Sequence, residues 1–210
     1  MKKAAEYSTR KQLVTMLKKQ GSLSVNEMAK QLGITEMAVR RHLNTLERDA
    51  LLESVLVRQA MGRPVRMYSL TGLADELFPK NYHVLTLDLL KELEEAVDED
   101  PVGNLFERRK DRLLRKYKAR MEGKNLKQRV VEMTEIQNEQ GYMAAWEIHE
   151  DGGFVIREFN CPISQVAQQY GQACRCELDL IRTLLEAEVK RKECLVNGGN
   201  KCMYLVSNKI

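Results

Sequence analysis

No apolar run in this sequence approaches the roughly 18 residues that a membrane-spanning helix needs, and no hydrophobic stretch follows the opening Met1-Lys-Lys-Ala-Ala-Glu6. The expected location is therefore the cytoplasm, with no membrane partner. A phosphate-binding glycine loop, a nucleophile elbow and a pair of carboxylates beside a credible base are also lacking, so an enzyme is not expected. The first 160 residues contain no cysteine. Five follow, Cys161, Cys174, Cys176, Cys194 and Cys202, all in the last 50 residues. An odd number in a compartment that keeps thiols reduced argues against a disulfide framework, so their clustering needs another reason. No internal repeat is evident.

What is present is a 210-residue chain, 30% charged and 43% hydrophobic, long enough for one large or two small globular domains. Its net charge of +4 is unevenly placed: residues 1–72 hold 13 Lys/Arg against 6 Asp/Glu, which is +7, leaving about −3 for residues 73–210. The basic part coincides with a helix-turn-helix pattern. Ser24-Val-Asn-Glu27 is a capping box, in which the serine oxygen and the glutamate three residues on each satisfy the other's backbone amide, so a helix starts at Val25. Gly33 closes it, and Thr35 caps a second helix from Glu36 to Asp49.

In that second helix Val39, Leu43 and Leu46 form one buried stripe. At about 100° per residue, Met37, Arg41, Asn44 and Arg48 lie farthest from the stripe, with Arg40 and Thr45 at its flanks. These are groove-reading types: arginine forks onto guanine, asparagine onto adenine, and methionine meets a thymine methyl. Two extended runs, Ser54–Arg58 and Val65–Leu70, flank Met61-Gly-Arg-Pro64 and predict a hairpin wing, with Arg58, Arg63 and Arg66 placed for phosphates or the minor groove. The expected DNA-binding set is thus Thr35, Met37, Arg40, Arg41, Asn44, Arg48, Arg58, Arg63 and Arg66.

A helix from Ser8 to Lys19, with Leu13, Val14 and Leu17 inward, completes a winged helix-turn-helix domain at residues 1–80. Residues 81–140 read as a helical linker and dimerisation region: Tyr82–Val97, the acidic break Asp98-Glu-Asp-Pro-Val-Gly103, a basic helix capped by Asn104 and running from Leu105 to Met121, and a helix from Leu126 to Glu139. The run Arg108-Arg-Lys110 is interrupted by Glu107 and Asp111, which favours a solvated face over a second DNA contact. Residues 141–210 read as a sensor domain, two antiparallel hairpins (Met143–His149 with Phe154–Phe159, Val189–Val196 with Cys202–Ser207) bracketing helices over Pro162–Tyr170 and Gln172–Glu186. The fold class is α+β.

Each of Cys161, Cys174 and Cys202 falls at the end of an element, where thiolates can converge, and thiolates suit iron–sulfur clusters or zinc. Two positions apart on a helix, Cys174 and Cys176 diverge by about 200°, so one of them faces a common site. A two-residue Gly198-Gly199 turn pairs Cys202 with Leu195 and puts Cys194 on the opposite face; a three-residue loop reverses this. Zinc lacks the usual Cys-x-x-Cys spacing, and cysteines packed as small hydrophobes are the plain alternative. His42 and His83 read as packing or surface residues.

Asn160-Cys-Pro162, Val166-Ala167, Cys174 with Glu177-Leu178, and a glycine turn before Cys202-Met-Tyr204 resemble the sensor domain of SufR-type iron–sulfur repressors. Ala38-Val-Arg-Arg-His-Leu43, Gly62-Arg-Pro64, Tyr68-Ser-Leu-Thr71 and Phe78-Pro79 resemble the same group's ArsR/DeoR-like winged helix. The resemblance spans nearly the whole chain. It implies a homodimeric repressor that binds a double-stranded DNA operator under control of a [4Fe-4S] cluster held by Cys161, Cys174 and Cys202. The fourth ligand is open among Cys176, His149, Glu177 and a non-protein thiol. Ala50 departs from the pattern, standing where a glycine is common. The rival reading is a winged-helix regulator sensing a small molecule, zinc or thiol oxidation in the C-terminal domain.

Overall fold

In the computed structural model, which describes residues 2–97 and 99–208 with side chains from residue 9 on, the chain forms two units, Met1–Lys80 and Asn81–Ile210. In the first unit, α1 (Lys2–Gln20) is followed by β1 (Leu23–Ser24), α2 (Val25–Leu32), α3 (Glu36–Arg48), β2 (Leu52–Val57), β3 (Val65–Leu70) and a 3-10 turn at Gly72–Leu77. The capping box is formed: the Ser24 and Glu27 amides are each bonded by the other's side chain, at 2.8 and 3.3 Å. Gly33 closes α2 at φ 65°, a left-handed conformation that glycine adopts without a Cβ penalty.

The core of this unit gathers Leu13 and Leu17 of α1, Met28 of α2, the α3 stripe Val39, Leu43 and Leu46, and Tyr68 of β3. Truncating a fully buried leucine such as Leu43 to alanine is worth about 2–5 kcal/mol. One element was not legible in advance. Leu23 and Ser24 pair with Tyr68 and Met67, so β1 makes the hairpin a three-stranded sheet of order β1-β3-β2. Two residues are too few for alternation to register.

The second unit runs α4 (Tyr82–Ala96), α5 (Pro101–Met121), α6 (Leu126–Glu139), β4 (Ala144–Ile148), β5 (Phe154–Glu158), α7 (Ser164–Gln169), α8 (Gln172–Leu185), β6 (Glu188–Glu193) and β7 (Cys202–Ser207). The acidic break before α5 is shorter than expected, and its first residue, Asp98, lies outside the described residues. Asp100, not Asn104, is the cap, its carboxylate accepting the Gly103 amide at 2.7 Å. Pro101 sits in the first turn, where a missing N–H leaves no bond unmade and the fixed φ suits a helix, so a residue type read as a breaker is a start.

The helices assigned to a linker do not stand apart from the sheet. Tyr117 and Met121 of α5 and Val130, Met133 and Ile136 of α6 share one core with Ile156, Ile181, Leu185 and Tyr204. By contrast α4 has no buried residue among those described, and Tyr82, Leu85 and Leu89 on it are exposed. The two expected hairpins merge into one antiparallel sheet of order β4-β5-β7-β6 through the β5–β7 pair.

The second hairpin corrects the sequence reading. No two-residue turn forms at Gly198-Gly199; β6 ends at Glu193, and a loop with a 3-10 turn at Leu195–Asn197 leads to Cys202. Cys202 pairs with Glu158 of β5, not with Leu195. The loop wraps the Cys194 carbonyl, which accepts the amides of Asn197 at 3.1 Å and Gly199 at 2.9 Å. A Cβ on Gly199 would meet that oxygen at 2.8 Å, so only glycine fits there without displacement.

Candidate functional site

On α3 the buried stripe fixes the opposite face: Met37 is 77% exposed, and Arg41, Asn44 and Arg48 are exposed beside it. Thr35 caps the helix, its Oγ1 accepting the Ala38 amide at 3.2 Å while its hydroxyl hydrogen remains a donor. Arg40 is tied one turn back to Glu36 at 3.4 Å. A second bond, from Asn26 to Glu36 at 3.1 Å, links α2 to α3 and holds the Glu36 carboxyl below its ordinary range, with Arg40 adding to the effect. Along the wing, Arg58 and Arg63 lie in the loop between β2 and β3 and Arg66 on β3, all exposed. Gly62 turns the loop at φ 106°. The face therefore combines a ridge of donors with a separate arginine-bearing hairpin.

In the second unit Cys161, Cys174 and Cys202 line one small cavity, together with Glu158, Arg191 and Tyr204. Cys161 precedes α7, Cys174 lies in the first turn of α8 and Cys202 opens β7. The helical divergence of Cys174 and Cys176 is realised: Cys176 is turned to α5, where its Sγ donates to Glu107 Oε1 at 3.3 Å. Cys194 is on the side that a two-residue turn would have denied it, with its Sγ 4.0 Å from Cys202 Sγ.

Burial pushes the Cys174 thiol up to about 11 and the Cys202 thiol up to about 12, and it raises Cys161 as well. With nothing bound, these sulfurs are protonated at neutral pH. Around them is a buried polar network. Gln137 Nε2 and the Tyr204 hydroxyl donate to the two oxygens of Glu158 at 2.6 and 3.2 Å, and Tyr142 OH and Arg109 donate to Glu177 at 2.6 and 3.3 Å. Burial, reinforced by the Glu177 charge, drives the Glu158 carboxyl up to about 8. Sequence reasoning missed Glu158 and Arg191; the signal was a carboxylate at an inward register of β5, two residues from the buried Ile156.

Among the described residues no three His, Cys, Asp or Glu side chains meet as the ligands of a single metal ion. A tetrahedral zinc would need sulfurs about 3.8 Å apart all round, given Zn–S bonds near 2.3 Å. A cubane cluster asks for less convergence, since each thiolate binds its own iron. Cys161, Cys174 and Cys202 share a cavity of about 10 Å³ with Glu158 and Glu177, so the thiols suit a cluster by their chemistry, and the walls would have to part to admit one.

Residues 10–56 match the DeoR-like helix-turn-helix domain family. The first unit carries a DeoR-like helix-turn-helix. Such a domain is a DNA-binding element. The chain is 37% identical over 71 residues to the probable C4-dicarboxylate response regulator DctR of Bacillus subtilis, which takes in 33% of this chain and 31% of that protein. The chain thus spans about a third of the length of the curated relative it matches. Two solved structures are similar in part: Lactococcus lactis ZitR, 24% identical over 49% of this chain and 76% of its own with a TM-score of 0.29, and Bacillus subtilis PadR in complex with operator DNA, 15% identical over 83% and 95% with a TM-score of 0.27. No described helix is long and apolar enough to cross a membrane.

Proposed function

We propose that this protein is a DNA-binding transcriptional regulator, and that it acts as a homodimeric repressor whose operator affinity depends on an iron–sulfur cluster in the second unit. The observation that carries the DNA reading is the exposed α3 ridge of Met37, Arg41, Asn44 and Arg48 beside an arginine wing, on a domain that matches a DeoR-like helix-turn-helix. One recognition helix touches too few base pairs for useful specificity, and two half-sites one helical turn apart multiply it. The uncovered apolar residues of α4 supply a surface for the second copy.

The sensing reading rests on Cys161, Cys174 and Cys202 lining one cavity. Those residues would hold the cluster; when bound, it supplies a redox-sensitive and oxygen-sensitive centre. Cys161 lies ahead of α7, Cys174 on α8 and Cys202 on β7, so a group held by all three ties a loop, a helix and a strand together. That difference between filled and empty states is what linkage needs in order to reach the DNA-binding surface.

The test uses the full chain, purified anaerobically. Selection from a random duplex pool should return a two-fold site. Cys161→Ser, Cys174→Ser and Cys202→Ser should lose visible absorbance and operator affinity together while staying folded. Selection that returns no preferred sequence would remove the DNA reading, and colourless variants that bind as tightly as the coloured protein would remove the sensing one.

A further inference from the structure

We infer that Arg108, Arg112 and Arg115 of α5 form a second DNA contact, holding backbone phosphates of the duplex that the winged domain reads. The inference rests on the DNA reading above and is independent of the cluster reading. In the sequence Glu107 and Asp111 break the basic run of this helix, and a run broken in that way is expected to be a solvated face. The fold separates those charges. Glu107 pairs with Lys110 and accepts from the Cys176 thiol, while Arg109 pairs with Glu177. Farther along, Arg120 is bound to Glu132 and Glu139. Arg108, Arg112 and Arg115 remain, four and three positions apart and all exposed, so they project from one side of the helix. None has an ion-pair partner among the described residues.

The three border one open concavity of about 540 Å³, where Arg109 joins them and Asp111 is the carboxylate among the described lining residues. Positive charge prevails there. A guanidinium forks onto two oxygens of a phosphate and keeps its charge at any working pH. At about 1.5 Å of rise per residue the stripe spans roughly 10 Å, and each DNA strand carries a phosphate about every 3.4 Å of duplex axis. That length suits about two or three phosphates of one strand. Three like residues with no amide among them suit phosphates more than base edges, so the contact adds affinity without sequence preference. The polyanion is DNA because the chain's own winged domain delivers it: once that domain is bound, a second contact on the same duplex is an intramolecular step, favourable even when weak.

The experiment measures binding of the full chain to a long mixed-sequence duplex by fluorescence anisotropy across a salt series. Each phosphate contact contributes about −0.9 to the slope of log affinity against log salt. Arg108→Gln with Arg112→Gln and Arg115→Gln, which preserves helix propensity, should make the slope shallower by about 2 to 3 and weaken binding at least roughly tenfold near 0.1 M salt. Lysine at the same three positions should keep the slope, which separates a charge contact from a packing role. Lys127→Gln with Lys192→Gln, exposed elsewhere in the unit, should leave the slope unchanged. A triple glutamine variant with the wild-type slope overturns the inference. So does a loss of the same size per charge in the Lys127 and Lys192 variant, which would make the effect one of overall charge. A triple variant that sediments differently from wild type assigns the stripe to a second copy of the chain and overturns it too. A wild-type chain that binds no duplex removes the DNA reading itself, and that failure is told apart because it appears before any substitution.

Discussion

Ala50 is the residue at which local chemistry and backbone geometry disagree most openly. It follows α3 at φ 56°, with its amide on the Glu47 carbonyl at 2.9 Å and the Leu51 amide on the Leu46 carbonyl at 2.9 Å. That is the Schellman closure of a helix, whose left-handed position is ordinarily glycine. A Cβ there costs about 1–2 kcal/mol, partly offset by the greater freedom glycine has in the unfolded chain. Ala50→Gly should therefore stabilise the first unit by about 0.5–1 kcal/mol in urea titration and leave operator affinity unchanged. On the DNA face, Arg41→Ala and Asn44→Ala should each weaken cognate binding by about 1–3 kcal/mol and relax base preference, whereas Arg63→Ala should weaken all sequences alike and lower the salt slope by about one. Competition binding against shuffled duplexes at several salt concentrations separates the two; equal, sequence-independent losses would take base reading away from α3.

At the scale of elements, α5 and α6 are joined by charge as well as by their buried stripes. Glu132 of α6 accepts from Arg120 Nε at 2.5 Å and is paired with Lys124, and Arg120 reaches Glu139 at 2.8 Å. The Lys124 hydrogen bond first, and Arg120 with it, hold the Glu132 carboxyl below its ordinary 4.5. A carboxyl lowered in the folded state contributes stability that is full above its unfolded value and is lost as pH falls through the folded one. Glu132→Gln should accordingly be less stable than wild type near pH 7, and the gap should narrow as the pH drops below about 4.5. Urea unfolding at pH 7 and pH 4 reads this; a gap that widens in acid would refute it. Asp100→Ala, which removes the α5 cap, should cost about 1 kcal/mol.

For the whole molecule the question is what covers α4. A helix with exposed Tyr82, Leu85 and Leu89 and no buried residue contributes little core to its own unit. If a second copy covers it, Leu85→Glu with Leu89→Glu should shift the sedimentation coefficient to that of a monomer and lower operator affinity at least tenfold, with far-UV circular dichroism unchanged. Affinity loss follows because two half-sites no longer bind as a unit. A double variant that remains dimeric would move the interface elsewhere.

The sequence by itself determined the elements whose signals are local. The capping box at Ser24, Gly33 as a helix stop and the period-3.6 stripe of α3 depend on near neighbours in the chain, and each was legible in advance. The exposed ridge of α3 followed, because a stripe that is buried fixes the face that is not. Only the tertiary structure decided matters that hinge on one residue of register or on long-range pairing. The β6 bulge turns Cys194 inward, β5 rather than the hairpin partner faces Cys202, and α5 and α6 join the core that they were expected to lead into. The physical reason is the period of two in a strand: one inserted residue exchanges the faces, and nothing in the local sequence marks where the insertion falls.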